Sequence, residues 1–183
     1  MALVVVKPDE TKKPVEYSTV FIYRWPLQLS NTVMISDIKQ VLSKLPDNVY
    51  LNVDYTGKGQ VFAEFLERKF GEPPRLHNVM TDYSIFSKAM KENLASTTRI
   101  LLSEGRLKFC KGQGVYSEML DELFDELCNY QVHIKESPVK GKPTSEMGAL
   151  GYGEHDDLAT ALFLALEDAE QAPSTGEVFW IRR

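Results

Sequence analysis

The chain has 183 residues and a net charge of −5, with 43% hydrophobic and 26% charged residues. That length and composition fit one globular domain with a real core and exclude a disordered chain. The acidic balance excludes broad attraction to nucleic acid, so any DNA contact must come from a local basic patch.

Cys110 and Cys128 lie far apart, with no second Cys or His at ligand spacing. This argues against a zinc site or a disulfide framework and fits a reducing, cytoplasmic setting. No apolar run approaches a membrane span, and the opening "MALVVVKP" lacks the flanks of a signal peptide.

In chain order, "ALVVVKP" is a β-branched run read as a buried strand ending at Pro8, and "DETKKPVE" is a polar turn. "YSTVFIYRW" gives a second strand, with "PLQLSN" as a candidate third. In "SDIKQVLSKL" the residues Ile38, Val41, Leu42 and Leu45 share one helical face behind a Ser or Asp cap. "VYLNVDY" is a strand, and "TGKGQ" turns it into a helix with Val61, Phe62, Phe65, Leu66 and Phe70 inward. Gly71 and the prolines after it stop that helix. "RLHNVM" reads as a strand, and a long helix follows through "SIFSKAMKENLASTTRILLSEG". "RLKFC" is a short strand, and "YSEMLDELFDELCNY" places Leu120, Leu123, Phe124, Leu127 and Cys128 on one stripe. "KESPVKGKPTSEMGALGYG" is a loop or irregular hairpin, and "DLATALFLALEDA" is a strongly apolar helix. The β-prone "APSTGEVFWIRR" forms a C-terminal extension over 171–183. Strands followed by alternating strands and helices predict an α/β fold: a central mixed sheet with helices on both faces, in a single domain spanning 1–183.

Two acidic places stand out. Asp54 ends a strand before "YTGKG", and Glu154, His155, Asp156 and Asp157 run into the start of the apolar helix. Strand ends and adjacent helix starts are where ligands collect in α/β folds. Carboxylates converging there suit Mg²⁺, and a pair of ions clamps both oxygens of a phosphodiester displacement. By spacing alone, Asp54 reads first as a turn residue before Thr-Gly, and the acidic run as a set of helix caps. "TGKG" lacks the full phosphate-loop pattern and is a weak nucleotide signal.

The order of these motifs resembles the C-terminal nuclease domain of bacteriophage terminase large subunits, a ribonuclease H-like fold. "YLNVDYTGKGQVFAEFLERKFG" is similar to that family's strand, Asp, Gly-rich turn and helix. "LHNVMTDYSIFSKAMKENL" resembles its next strand and a helix carrying a Lys, here Lys88. "LLSEGRLKFC" with the acidic helix after it resembles its late region, and "GYGEHDDLATALFLALEDA" its closing His-Asp-Asp helix.

The resemblance implies metal-dependent endonuclease activity on double-stranded DNA in viral genome packaging. It places Mg²⁺ or Mn²⁺ on Asp54, Asp156 and Asp157 as catalytic ligands, without choosing between the last two. Lys135, Lys140 and Lys142 fall where a DNA-contacting hairpin stands beside such sites. An ATPase motor domain or other packaging proteins are the implied partners, and the host cytoplasm the implied location.

The chain departs from the family at its first strand, where Lys7 stands in place of the metal-bridging Asp. Among carboxylates an ammonium opposes a cation and pairs with the acids, here Asp54 and Asp157. Asp9 and Glu10 are the nearest acids to that position, and no Walker-type motif occurs. Two functional expectations follow: a metal-dependent endonuclease impaired by Lys7, or a catalytically inactive nuclease-like module that binds DNA or a packaging or replication partner. A nucleotide-binding protein using "TGKG" ranks behind both, because it leaves the acidic run unexplained.

Overall fold

The β-branched run at the chain start becomes the spine of the fold because Ala2, Leu3, Val4, Val5 and Val6 are all apolar and buried on both faces. The computed structural model describes residues 1–45, 49–71, 79–85, 87–110, 114–135, 144–149 and 155–167, with only the backbone described at Lys58, 132–135, 144–147 and 149. Strand β1 (Ala2–Asp9) pairs antiparallel with β2 (Glu16–Arg24). Ala2, Val4 and Val6 enter one hydrophobic cluster, while Leu3 and Val5 enter another. This is the period-two alternation of a strand buried on both faces. Pro8 does not end the strand, which continues through it to Asp9. There the Asp9 carboxylate accepts from the Thr11 hydroxyl at 2.6 Å and from the Thr11 N–H at 3.1 Å. Those bonds to Thr11 hold its carboxyl below the usual range, and they commit Asp9 to the β1–β2 turn.

"PLQLSN" forms no strand. It is a bend leading to α1 (Asn31–Leu42), capped by Ser30, whose hydroxyl accepts from Val33 N–H. The helix therefore opens before the Ser-Asp pair expected to cap it, and it buries Met34, Ile35, Ile38 and Leu42. Strand β3 (Val49–Asp54) and helix α2 (Lys58–Phe70) follow, then β4 (Val79–Ser84), parallel to β3. Helix α3 (Lys88–Ser103) is capped by Ser87, and the short β5 (Leu107–Phe109) pairs parallel to β2. Helix α4 (Val115–Asn129) leads into β6 (Tyr130–Lys135), which pairs antiparallel with β7 (Thr144–Ala149). Helix α5 (Asp157–Glu167) is the last described element.

The result is a mixed α/β architecture. Helices α3, α4 and α5 pack on one face of β1, and α1 and α2 pack on the other. Among the described residues the strands form three separately bonded sets, β1-β2-β5, β3-β4 and β6-β7, rather than one continuous central sheet. The expected C-terminal extension, 171–183, lies outside the described residues. Both cysteines are free and exposed. Among the described residues no helix is long and apolar enough to cross a membrane.

Helix α5 is buried without interruption from Leu158 to Leu166, so no face of it meets solvent. A helix apolar all round belongs inside a protein. Its alanines, Ala159, Ala161 and Ala165, let neighbouring backbone approach closely.

Two outcomes follow from this packing. Leu162 is fully buried, so Leu162→Ala is expected to destabilise by about 2–5 kcal/mol, read by urea denaturation. Burial also raises the hydroxyl pKa of Tyr116, which donates to the Thr19 carbonyl at 3.2 Å, and of Tyr83, beside the Glu67 carboxylate. A folded pKa above the unfolded one means that the unfolded chain ionises first as pH rises. Stability is therefore complete below about pH 10, the ordinary tyrosine value, and falls above it. Tyr116→Phe is expected to flatten that alkaline decline in melting temperature.

Candidate functional site

The strand-turn-helix "VDYTGKG" is built around a close approach. Tyr55 N–H bonds to the Ser84 carbonyl at 2.8 Å, which carries the β3–β4 ladder just past Asp54. The Asp54 carboxylate then accepts from Thr56 N–H at 3.0 Å, an Asx turn that reverses the chain. Gly57 precedes α2 at φ 55°, a conformation that costs other residues strain. Gly59 lies so close to the strand end that a Cβ there would sit 2.1 Å from the Asp54 carbonyl oxygen. The two glycines act differently: Gly57 supplies the left-handed turn and Gly59 lets the first turn of α2 seat against the end of β3.

The second acid arrives on α5. Asp156 stands just before the helix, its carbonyl accepting from Thr160 N–H at 2.9 Å, and Asp157 is the first helical residue. Their side chains diverge. The Asp156 carboxylate lies against β7, with Oδ2 3.3 Å from where a Cβ on Gly148 would stand. Asp157 instead shares one open cleft with Asp54, and Thr56, Gly59, Asn31 and Met1 also line it, around a space of about 440 Å³. Of the two adjacent acids left open by the sequence, Asp157 is the one that lines the cleft with Asp54. His155 is exposed.

The ammonium beside these carboxylates is not that of Lys7. The Met1 amino group pairs with Asp157 Oδ2 at 3.2 Å. Lys7 sits opposite Ser18 near the other end of β1, about 20 Å away at roughly 3.3 Å per residue. The strand runs away from the cleft, so Lys7 does not stand beside Asp54 and Asp157 as the metal-replacing counter-ion expected of it. Of the three expected DNA-contacting lysines, Lys135 ends β6 opposite Thr144, while Lys140 and Lys142 lie outside the described residues. The other end of that hairpin, Tyr130 opposite Ala149, lies next to Gly148 and so beside Asp156. Lys88 opens α3 and pairs with Glu92 at 3.7 Å.

A further group escaped the sequence reading. Arg24, the last residue of β2, pairs with Glu122 at 2.6 Å and with Glu126, both on α4. Glu126 is only 7% exposed, and its other oxygen accepts from Ala159 N–H, in the first turn of α5, at 2.8 Å. The signal was present: Glu126 follows Leu123 by one helical step, on the face that the apolar stripe turns inward. An acid on a buried face needs a cation or N–H partner.

Two carboxylates on one open cleft are a donor set that fits a hydrated Mg²⁺ or Mn²⁺ completed by water and substrate oxygens. A two-ion site needs more, and among the described residues no group of three or more His, Cys, Asp or Glu comes together. No known protein family, curated protein or solved structure compared with this chain gives a significant match.

The close approach at Gly59 makes a checkable prediction. Gly59→Ala forces α2 away from β3, which is expected to cost about 1–3 kcal/mol in denaturation experiments. The Asp54 and Thr56 backbone resonances are expected to shift with it.

Proposed function

We propose that the chain is a metal-dependent DNA endonuclease domain of the terminase large-subunit type, with a ribonuclease H-like fold, acting in viral genome packaging. The observation that carries this reading is the convergence of Asp54, from a strand end, and Asp157, from a helix start, on one cleft. The order of motifs along the chain supports it as well. Double-stranded DNA is the substrate, and an ATPase motor domain or another packaging protein is the partner.

Asp54 and Asp157 would hold the Mg²⁺ or Mn²⁺, which when bound supplies Lewis-acid stabilisation of the phosphodiester and an activated water. The Asx turn at Thr56 fixes where the Asp54 carboxylate stands. The rim of the cleft carries Leu27, which is 81% exposed, and Asn31, whose amide suits a sugar or phosphate oxygen. Asp156, turned toward β7, has no part in holding the cation. The basic stretch of the sequence that holds Lys135, Lys140 and Lys142 would contact the phosphate backbone and give the acidic chain its local attraction for DNA.

The lining of the cleft, with the two carboxylates of Asp54 and Asp157, favours a second reading, a nuclease-like module that binds DNA or a packaging or replication partner without cutting it, since two-ion cleavage calls for a larger ligand set.

Cleavage of supercoiled plasmid in Mn²⁺ separates the two readings. The endonuclease reading expects nicking that Asp54→Asn and Asp157→Asn each reduce on the order of 100-fold or more, as when a group stabilising transition-state charge is removed. Asp156→Asn and Lys7→Asp are expected to leave the rate unchanged. No nicking by the unaltered protein, with DNA still retained in a gel-shift assay, would establish the binding module instead.

A further inference from the structure

The cleft depends on the direction of a single side chain, Asp157, whose backbone belongs to the first turn of a helix with no solvent-facing side. The N–H groups at a helix start have no partners within the helix. In α5 one of them, at Ala159, is satisfied from outside: Glu126 reaches across from α4 and accepts it at 2.8 Å. Burial of that carboxylate is offset by Arg24, which also holds Glu122 at 2.6 Å. One guanidinium thereby joins the end of β2, two successive turns of α4 and, through Glu126, the start of α5.

The same strand end leads directly to the cleft. Trp25, next after Arg24, donates its N–H to the Met1 carbonyl at 3.0 Å and its indole N–H to Asp37 at 2.9 Å. The chain then continues through Pro26 and Leu27, which line the cleft beside Asp157. The Arg24–Glu126 pair thus stands behind both walls: the loop after β2 and the first turn of α5.

We propose that Glu126 is the positioning residue of this site, acting through its bond to Ala159 N–H to hold the first turn of α5 so that Asp157 lines the cleft with Asp54. The proposal rests on the reading of the cleft as a divalent-cation site. Glu126 does not touch the cation. Its role is to keep the Asp157 ligand in place, and outer partners that orient a ligand commonly change metal affinity by about 10–100-fold when altered.

Two conservative variants separate reach from charge. Glu126→Gln keeps the side-chain length and one carbonyl acceptor for Ala159, while its NH2 takes the place of the oxygen facing Arg24 and makes no bond to it; Arg24 retains Glu122 as its counter-ion. Glu126→Asp keeps the charge but is shorter by one carbon–carbon bond, about 1.5 Å, and loses the contact. Mn²⁺ affinity, measured by calorimetry on the full chain, is expected to stay near the unaltered value in Glu126→Gln and to fall about tenfold or more in Glu126→Asp. Hydrogen exchange at the Ala159 amide is expected to remain slow in the first variant and to become fast in the second.

The opposite order, with affinity lost in Glu126→Gln and kept in Glu126→Asp, would make the role one of charge and overturn the proposal. Equal exchange at Ala159 in the two variants would overturn it as well. Absence of Mn²⁺ binding in the unaltered protein, or binding indifferent to Asp157→Asn, would instead remove the metal reading. The exchange measurement would then still decide whether Glu126 holds the turn.

Discussion

A helix buried on every side cannot leave its ends unsatisfied, and in this protein that constraint governs the arrangement around α5. From Leu158 to Leu166 each residue is shielded from water. The peptide groups at its start cannot all turn to solvent, and an unpaired buried N–H costs about as much as a lost hydrogen bond. Glu126 supplies one partner, and its own burial then calls for a cation. Arg24 is that cation, which ties the end of the hairpin β1–β2 to α4. The polar network is therefore a consequence of the apolar helix.

The same helix delivers an acid to the surface. Its body needs the core, while its first residue lies where the core ends, so Asp157 emerges beside the end of β3. That end is made accessible by a different device, the paired glycines of "TGKG". With no Cβ at position 59, the first turn of α2 rests directly on the Asp54 carbonyl, and the turn at Thr56 holds the carboxylate at the cleft. Two unrelated local solutions meet in one place. One is a capped buried helix, and the other is a strand end closed by a tight turn.

The meeting point of these two devices already holds an ion pair. Asp157 already has an ammonium partner in Met1. The ammonium lies 3.2 Å from Asp157 Oδ2, within ion-pair reach. Lys7, which by its place in the first strand seemed to have this role, is carried away from the cleft by the direction of β1.

Local pattern alone determined much of this protein. The β-branched run of β1 and the continuous apolar sequence of α5 each state their own burial, because hydrophobic periodicity is a property of neighbouring residues; the stripe expected on α4 holds only in part, with Leu123 buried but Phe124 and Cys128 exposed. The strand-turn-helix around Asp54 was equally plain, since glycine and Asx-turn chemistry are local. Where local signals competed, the reading slipped: Ser30 caps α1 ahead of the Ser-Asp pair, and "PLQLSN" bends because Leu29 is needed at the second core rather than in a ladder. What only the tertiary structure decided was which charged groups meet. Asp156 and Asp157 are adjacent in sequence, yet one turns to β7 and the other to the cleft. Glu126 and Arg24 are 102 positions apart, as 126 − 24 gives, and are drawn together only by the packing of α4 on β2. Pairing between distant charges depends on strand direction and helix rotation, and neither is written in the residues of a single segment.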